Sequence, residues 1–165
     1  MSDFELQVND ALVKVAELLT ACNWRMATAE SCTGGWIAKC CTDVAGSSGW
    51  FDRAYVTYSY RAKEQMLGVS HEDLVRHGAV SEQIAWQMAT GAKQHSNAAV
   101  VVSATGFAGP GGGMPGKPVG LVHFGWCIDD KPAVCDAEIF QGDRNSVRQQ
   151  TVLHALNGII SRIQD

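Results

Sequence analysis

The six residues from Ala98 to Ser103 constrain the fold of this chain more than any other stretch. They read AAVVVS, so the run is continuously apolar and rich in β-branched residues. A strand without polar alternation is typical of the centre of a sheet that is covered on both faces. We therefore expect this strand to be flanked by other strands and to have helices packed above and below it.

Apolar residues recur at helical spacing in several other segments. The first predicted helix follows a capping box formed by Ser2 and Glu5, and it ends near Cys22-Asn23. Further helices are predicted behind capping residues or before glycines, at 34–43, 60–67 and 70–75, after Ser81, and after Asp143 or Asn145.

Strands are predicted before Ser31 and at 51–59, 98–103, 119–128 and 133–140. The last two are joined by DDKP at 129–132, which predicts antiparallel neighbours. Helices alternate with strands early in the chain, and the hairpin comes late. This order predicts an α/β fold with three α/β/α layers and a mixed, mostly parallel sheet that includes the late hairpin. The length of 165 residues fits one domain, residues 1–165.

The charge balance and the cysteines exclude several classes of partner. The net charge is −4 and no cluster of Lys or Arg stands out, whereas non-specific binding of nucleic acid relies on many cations. No window is apolar enough to span a bilayer, and the first residues do not resemble a signal peptide. The six cysteines form no zinc-binding spacing. We therefore expect a cytoplasmic protein with free thiols and no metal, which binds neither nucleic acid nor membrane.

The stretch TAESCTGG at 28–35 places a hydroxyl between a predicted strand and a predicted helix. At the start of a helix, backbone N–H groups lack partners and the helix dipole favours negative charge. Ser31 therefore has the position of a nucleophile beside an oxyanion hole, although a simple helix cap by Ser31 or Thr33 explains the same residues. Cys32 is a rival nucleophile, but as the next residue on the turn it should point away from the site.

A serine nucleophile needs a base, and none of the five histidines stands in a recognisable motif. Lys63 is the alternative, because serine–lysine variants of the catalytic triad exist. Such a lysine must be partly desolvated to lose its proton near neutral pH. Tyr58 precedes it and could share its hydrogen bonds. The plainer interpretation is a solvated helix lysine and a half-buried strand tyrosine.

Two loops and one helix start offer ligand-binding groups. The glycine-rich run at 105–116 either cradles a polar ligand with its backbone N–H groups or is a flexible surface excursion. The loop AGSSG, which contains Gly46 and Ser48, is either plain turn chemistry or part of a ligand cradle. Arg144 and Arg148 lie near the start of the last helix, where they could bind phosphate or simply lie on the surface.

Five linked motifs, in order along nearly the whole chain, resemble the CinA C-terminal domain family. They are TAESCTGG (28–35), Tyr58-Ser59 followed by Lys63, GAVSE (78–82), TGFAGP (105–110) with KPVG (117–120), and GDR (142–144). Stand-alone bacterial members of this family are nicotinamide-nucleotide amidases. The resemblance implies hydrolysis of the carboxamide of nicotinamide mononucleotide to nicotinate mononucleotide and ammonia, in pyridine-nucleotide salvage.

The resemblance also implies roles for individual residues. Ser31 would be the nucleophile, with Tyr58 and Lys63 as its activating partners. The substrate-binding candidates lie in the same motifs and in the loops: Glu30, Thr33, Gly34, Gly46, Ser48, Thr105, Gly106 and Arg144. The partner would be a small-molecule nucleotide, without cofactor or metal, and family members are commonly homodimers or larger homo-oligomers. Tyr60 and Phe107 depart from the family pattern and could reshape the pocket wall.

Two other functions stay open on these residues. A non-catalytic, nucleotide-binding regulatory module would use the glycine loop and the helix termini to hold phosphate without turnover. A DNA-associated interaction protein is suggested only by the historical name of the family, and the acidic charge balance argues against it.

Overall fold

The computed structural model describes residues 1–165 and contains one sheet of five strands. The strands are β1 (Met26–Glu30), β2 (Phe51–Val56), β3 (Val100–Gly106), β4 (Leu121–Ile128) and β5 (Val134–Ile139), and their order across the sheet is β2-β1-β3-β4-β5. β1 pairs in parallel with β2 and β3, whereas β4 pairs antiparallel with β3 and β5. All strands except β4 therefore point the same way, and the predicted mixed sheet with its late hairpin is confirmed.

Six α-helices cover the two faces of the sheet. One face carries α1 (Asp3–Cys22), α2 (Trp36–Asp43) and α6 (Arg144–Gln164), and the other carries α3 (Tyr60–Leu67), α4 (His71–His77) and α5 (Glu82–Gln94). Five helices begin at a residue whose side chain accepts a hydrogen bond from the first turn: Ser2, Ser59, Ser70, Ser81 and Asp143. The predicted α/β/α layers are confirmed. None of the helices is both long and apolar enough to cross a membrane.

Strand β3 is buried on both of its faces, as its sequence predicts. Val100 and Val102 pack in the core beneath α1 and α6, while Val101 packs in the core beneath α5. Each of these valines has no exposed surface. Because both faces of the strand are covered by helices, its sequence lacks the polar alternation of a half-exposed strand.

The strand order reverses between β1 and β3. After β1 the chain crosses to β2 on one side, and it later returns to place β3 on the other side of β1. At such a point the loops that leave the carboxyl ends of the strands diverge and open a crevice. Ser31 follows β1 and Gly106 ends β3, and the Ser31 amide donates to the Ala104 carbonyl at 3.0 Å. The nucleophile candidate therefore lies at the edge where this fold leaves room for a ligand.

Candidate active site

The side chains of Ser31 and Lys63 meet at the carboxyl edge of the sheet. The Lys63 Nζ lies 2.9 Å from the Ser31 Oγ and 2.6 Å from the carbonyl oxygen of Thr57. Ser59 caps α3, and Lys63 follows within the first turn of that helix, so its side chain reaches back toward β1. The structure thus brings together two predicted site residues that are 32 positions apart in the chain.

Burial shifts the protonation of Lys63. The residue is 1% exposed and forms no salt bridge with a carboxylate. Because burial disfavours the charged form of an amine, the pKa of Lys63 is lowered from 10.5 to about 8. A fraction of the amine is therefore neutral near physiological pH, and a neutral amine can accept a proton from a hydroxyl.

Glu30 holds the start of α2 from inside the protein. Its carboxylate accepts hydrogen bonds from the amides of Ile37 and Ala38, each at 3.0 Å, and from the hydroxyls of Thr28 at 2.9 Å and Thr33 at 2.7 Å. Glu30 has no exposed surface. It was expected among the substrate-binding residues, but the structure turns it away from the crevice and uses it to fix α2 against the end of β1.

Neither Ser31 nor Thr33 caps α2. The residue before the helix is Gly35, which is left-handed with φ 96° and makes no side-chain cap. The simple capping interpretation of Ser31 is therefore wrong, and its hydroxyl is free to contact Lys63 instead. Glu30 supplies the carboxylate that the helix start requires.

The backbone amides between Ser31 and the first turn of α2 differ in their partners. Those of Ile37 and Ala38 are taken by Glu30. The amides of Cys32 and Thr33, one and two residues after Ser31, donate to no other residue. Of these two residues only Cys32 lines the cavity over Ser31, so its N–H is available for an oxygen that gains negative charge beside the Ser31 hydroxyl.

Cys32 lies in an environment that suppresses its reactivity. It is 6% exposed and packs in the apolar core with α1 and α6. Burial raises the pKa of its thiol to about 11. Because the thiolate is the nucleophilic form of cysteine, Cys32 is a poor rival to Ser31.

A cavity of about 200 Å³ opens over Ser31 and Lys63. Besides this pair, its walls include predicted site residues and the two departures from the family pattern: Tyr58, Thr105, Gly106, Arg144, Tyr60 and Phe107. Thr105 donates its hydroxyl to the Ala79 carbonyl at 2.8 Å, which ties β3 to another part of the wall. A Cβ at Gly106 would lie 2.6 Å from Val122, so the close approach of β3 and β4 requires glycine here.

Tyr58 and Arg144 contact each other at the mouth of the cavity. The Arg144 Nη2 donates to the Tyr58 hydroxyl at 3.2 Å, and its Nη1 donates to the Gly109 carbonyl at 2.9 Å. Tyr58 is 65% exposed, and its hydroxyl forms no hydrogen bond with Ser31 or Lys63. The contact between the serine and the lysine is therefore direct.

An open groove of about 730 Å³ borders the cavity and shares Ala108 and Arg144 with it. Gly109, Asn145 and Arg148 also line this groove. Arg144 is the first residue of α6, and the start of a helix favours an anion. The crevice therefore combines an enclosed part over Ser31 with an open part that is lined by two arginines and by Asp143, whose carboxylate caps α6.

Arg148 makes contacts that sequence reasoning missed. Its Nε donates to the carbonyl of Cys32 and its Nη2 to the carbonyl of Thr33, both at 3.0 Å. The guanidinium carbon also lies 5.0 Å from the ring centroid of Trp36. The residues in these contacts are more than a hundred positions apart, and the acceptors are main-chain oxygens, so no sequence motif predicts them.

The structure does not bring Gly46 and Ser48 to this site. They lie just before β2, whose first residue, Phe51, pairs with Met26 at the start of β1. Because the strands are parallel, this loop lies at the opposite edge of the sheet from Ser31.

Thr33 and Gly34 lie in the turn after Ser31 but do not line the cavity over Ser31. Thr33 is buried with its hydroxyl on Glu30. A Cβ at Gly34 would lie 3.7 Å from the Arg148 guanidinium, so this glycine faces α6.

Comparison with known proteins places the chain in a family. Residues 9–163 match the CinA C-terminal domain. The sequence is 48% identical over 157 residues to the nicotinamide-nucleotide amidohydrolase PncC of Escherichia coli (strain K12), which covers 94% of this chain and 93% of the relative.

Solved structures agree over nearly the full length. A competence-damaged protein (CinA) superfamily protein from Escherichia coli has a TM-score of 0.92 at 33% identity, covering 98% of this chain and 93% of that one. The competence/damage inducible protein CihA from Agrobacterium tumefaciens has a TM-score of 0.90 at 40% identity, covering 100% and 98%. The predicted resemblance is confirmed, and this chain belongs to the CinA C-terminal domain family.

Proposed function

We propose that this chain is an amidohydrolase that converts nicotinamide mononucleotide to nicotinate mononucleotide and ammonia, with Ser31 as the nucleophile. The name of the relative at 48% identity supports the reaction and the substrate. The observation that carries the proposal is the 2.9 Å contact between the buried Lys63 Nζ and the Ser31 Oγ inside a cavity. A hydroxyl beside a desolvated amine is the pair that a serine–lysine hydrolase needs.

Lys63 acts as the general base in this proposal. A neutral amine has two N–H bonds and one lone pair. One N–H donates to the Thr57 carbonyl at 2.6 Å, and this contact leaves the lone pair free to face the Ser31 hydroxyl at 2.9 Å. As the Ser31 oxygen attacks the carboxamide carbon, its proton passes directly to Lys63.

The remaining steps use the same groups. The amide of Cys32, which lines the cavity, stabilises the oxyanion of the tetrahedral intermediate. The protonated Lys63 then gives its proton to the amide nitrogen, the carbon–nitrogen bond breaks and ammonia leaves. Lys63 next takes a proton from water, which attacks the acyl-enzyme, releases the carboxylate product and restores the Ser31 hydroxyl.

The shape of the crevice supports a substrate that is longer than its reacting ring. The cavity over Ser31, about 200 Å³, is smaller than the ~300–1,000 Å³ of ordinary ligand sites. The carboxamide ring would occupy this enclosed part, against Thr105 and Gly106. The ribose phosphate would extend past Tyr58 into the open groove, where Arg144 offers a guanidinium to the phosphate.

We further propose that the whole chain works as one domain in a cytoplasmic homo-oligomer, a dimer in the simplest case, and serves pyridine-nucleotide salvage. No cofactor takes part in the steps above. The family resemblance and the relative named as an amidohydrolase support these statements.

Ammonia release from nicotinamide mononucleotide tests the proposal. We expect Ser31→Ala to lower kcat by at least ~10³-fold, because the covalent step needs the hydroxyl. Cys32→Ala is the matched control at the next position, and its kcat should stay within about threefold of the wild type because the buried thiol is protonated. Undiminished activity of Ser31→Ala would remove the assigned nucleophile. Calorimetric binding of the nucleotide without any ammonia release would instead identify a regulatory binding module.

A further inference from the structure

We propose that Arg148 is a positioning residue for the nucleophile, which fixes the peptide groups after Ser31 from outside the cavity. This inference rests on the proposed Ser31 chemistry. Its starting point is the pair of 3.0 Å hydrogen bonds from the Arg148 guanidinium to the carbonyls of Cys32 and Thr33. Arg148 does not line the cavity over Ser31, so it acts through the backbone of the turn.

The geometry of the peptide bond links these carbonyls to the reacting oxygen. In a trans peptide group, the C=O and the N–H point in opposite directions. The Cys32 carbonyl shares its peptide group with the Thr33 N–H, which donates to no other residue. By binding the carbonyl, Arg148 directs this N–H away from α6. The same hydrogen bond fixes the peptide group that follows Cys32, the residue of this turn that lines the cavity beside Ser31.

The second hydrogen bond closes the turn on the nucleophile itself. The Thr33 carbonyl shares its peptide group with the Gly34 N–H, which donates to the Ser31 carbonyl at 3.1 Å. Arg148 therefore holds one end of two successive peptide groups. The N–H of the second peptide group binds the Ser31 carbonyl, and that carbonyl shares its own peptide group with the free N–H of Cys32 beside the cavity.

The guanidinium is itself held in place. It lies over the Trp36 ring, with 5.0 Å between the guanidinium carbon and the ring centroid. On the far side of the turn, Glu30 accepts the Thr33 hydroxyl at 2.7 Å. The turn is thus fixed from both sides, by a carboxylate within the sheet and by a guanidinium from α6. A lysine at 148 would keep the charge but lose the rigid fork of donors that spans the two carbonyls.

Arg162 provides a matched control on the same helix. Its guanidinium also stacks on a tryptophan, at 3.7 Å from the Trp126 ring centroid. It also donates to a main-chain carbonyl, that of Gly158 at 3.2 Å, and to Asp136 at 3.1 Å. Arg162 lies in the last turn of α6, far along the helix from Ser31.

The experiment compares Arg148→Met, Arg148→Lys and Arg162→Met in two assays. The first measures kcat and KM for ammonia release from nicotinamide mononucleotide. The second measures the rate at which a small sulfonyl fluoride, which carries no phosphate, forms a sulfonate ester with the Ser31 oxygen and releases fluoride and a proton. Thermal melting checks that each variant is folded.

We expect Arg148→Met to lower kcat about 10²-fold, as the loss of oxyanion donors does, with KM within about threefold of the wild type. The rate of Ser31 labelling should fall by a similar factor. Both rates of Arg148→Lys should exceed those of Arg148→Met by less than about tenfold, because one ammonium cannot span two carbonyls. Arg162→Met should keep both rates.

Two results would overturn the inference. A rise in KM with unchanged kcat and unchanged Ser31 labelling would assign Arg148 to the substrate phosphate. An equal loss of labelling in Arg162→Met would reduce its role to general support of α6. If the wild type releases no ammonia, the proposed function fails, but the labelling rates still decide whether Arg148 positions Ser31.

Discussion

The Lys63 amine lies 2.9 Å from the Ser31 hydroxyl and has no carboxylate as an ion-pair partner, although it is almost completely buried. A buried carboxylate beside it would favour the charged form and raise its pKa. Here burial acts without that compensation, so the pKa is lowered to about 8. The absence of an ion pair is therefore what makes this lysine suitable as a base.

The activity should depend on pH through Lys63. Only the neutral amine can take the Ser31 proton, and its pKa is lowered to about 8. We expect kcat/KM to rise about tenfold per pH unit below pH 8 and to level off above it. Initial rates of ammonia release between about pH 6 and about pH 9.5 measure this profile. A flat profile, or one that falls toward alkaline pH in this range, would contradict the assignment of Lys63 as the base.

The unfolding free energy should also depend on pH through Lys63, and the direction of that dependence follows from its lowered pKa. Because the pKa of Lys63 is lowered from 10.5 to about 8, the unfolded chain binds more protons between these values, and wild-type stability rises with pH there. Relative to Lys63→Met, the wild type should gain up to about 3 kcal/mol of unfolding free energy from pH 8 to pH 10.5. Urea denaturation of both proteins across this range measures the difference.

The control for this measurement is Lys39→Met. Lys39 is exposed on α2 and pairs with Asp43 at 2.6 Å. The substitution therefore removes an exposed charge and leaves the buried amine of Lys63 in place. The difference in unfolding free energy between the wild type and Lys39→Met should not increase over the same pH range. Parallel curves for wild type and Lys63→Met would show that the Lys63 pKa is not lowered by folding.

Tyr58→Phe separates two roles for the phenol. Its hydroxyl accepts a hydrogen bond only from Arg144, at 3.2 Å, so we expect it to orient that guanidinium toward the substrate. KM for nicotinamide mononucleotide should rise about tenfold, the loss of one hydrogen bond to a charged group, with kcat within about threefold. Tyr60→Phe, in the same cavity wall, should change neither constant. A fall in kcat of about 10²-fold at constant KM would instead place Tyr58 in the proton path.

Glu30→Gln should destabilise the protein. The carboxylate accepts four hydrogen bonds, two at each oxygen, and an amide nitrogen in place of one oxygen cannot accept two of them. We expect the unfolding free energy to fall by about 2–4 kcal/mol, because buried donors are left unpaired. Urea denaturation measures the loss. Glu17→Gln, at an exposed position of α1, serves as the control, and equal stability of the two variants would contradict the role of Glu30.

The fold could be predicted from the sequence wherever burial leaves a local pattern. The apolar run in β3 and the helical spacing of α1, α5 and α6 are such patterns, and each predicted element is present. β2 was predicted to reach Ser59, but it ends at Val56. Thr57 still donates to the Glu30 carbonyl at 2.8 Å, and the chain then turns so that Ser59 caps α3.

The candidate site was predictable only in part. Ser31 and Lys63 were candidates from their positions in the sequence, beside plainer interpretations, and the family resemblance joined them into one site, since nothing local in the sequence shows that they meet. The loop with Gly46 and Ser48 has the composition of a ligand cradle, but composition does not show which edge of the sheet a loop occupies. Arg148 donates its hydrogen bonds to main-chain carbonyls, and Glu30 accepts from two main-chain amides as well as from two hydroxyls. Contacts with main-chain groups leave no characteristic residue pairing in the sequence.

The short distance along α3 from its cap to Lys63 limits how this chain can vary in length. Lys63 lies in the first turn behind Ser59, and its amide bonds to the Ser59 carbonyl at 3.1 Å. Each residue advances an α-helix by about 100°, so a single insertion between the two would swing the amine around the helix axis and out of reach of Ser31. Substitutions within this turn can preserve the phase of the helix, whereas insertions and deletions cannot.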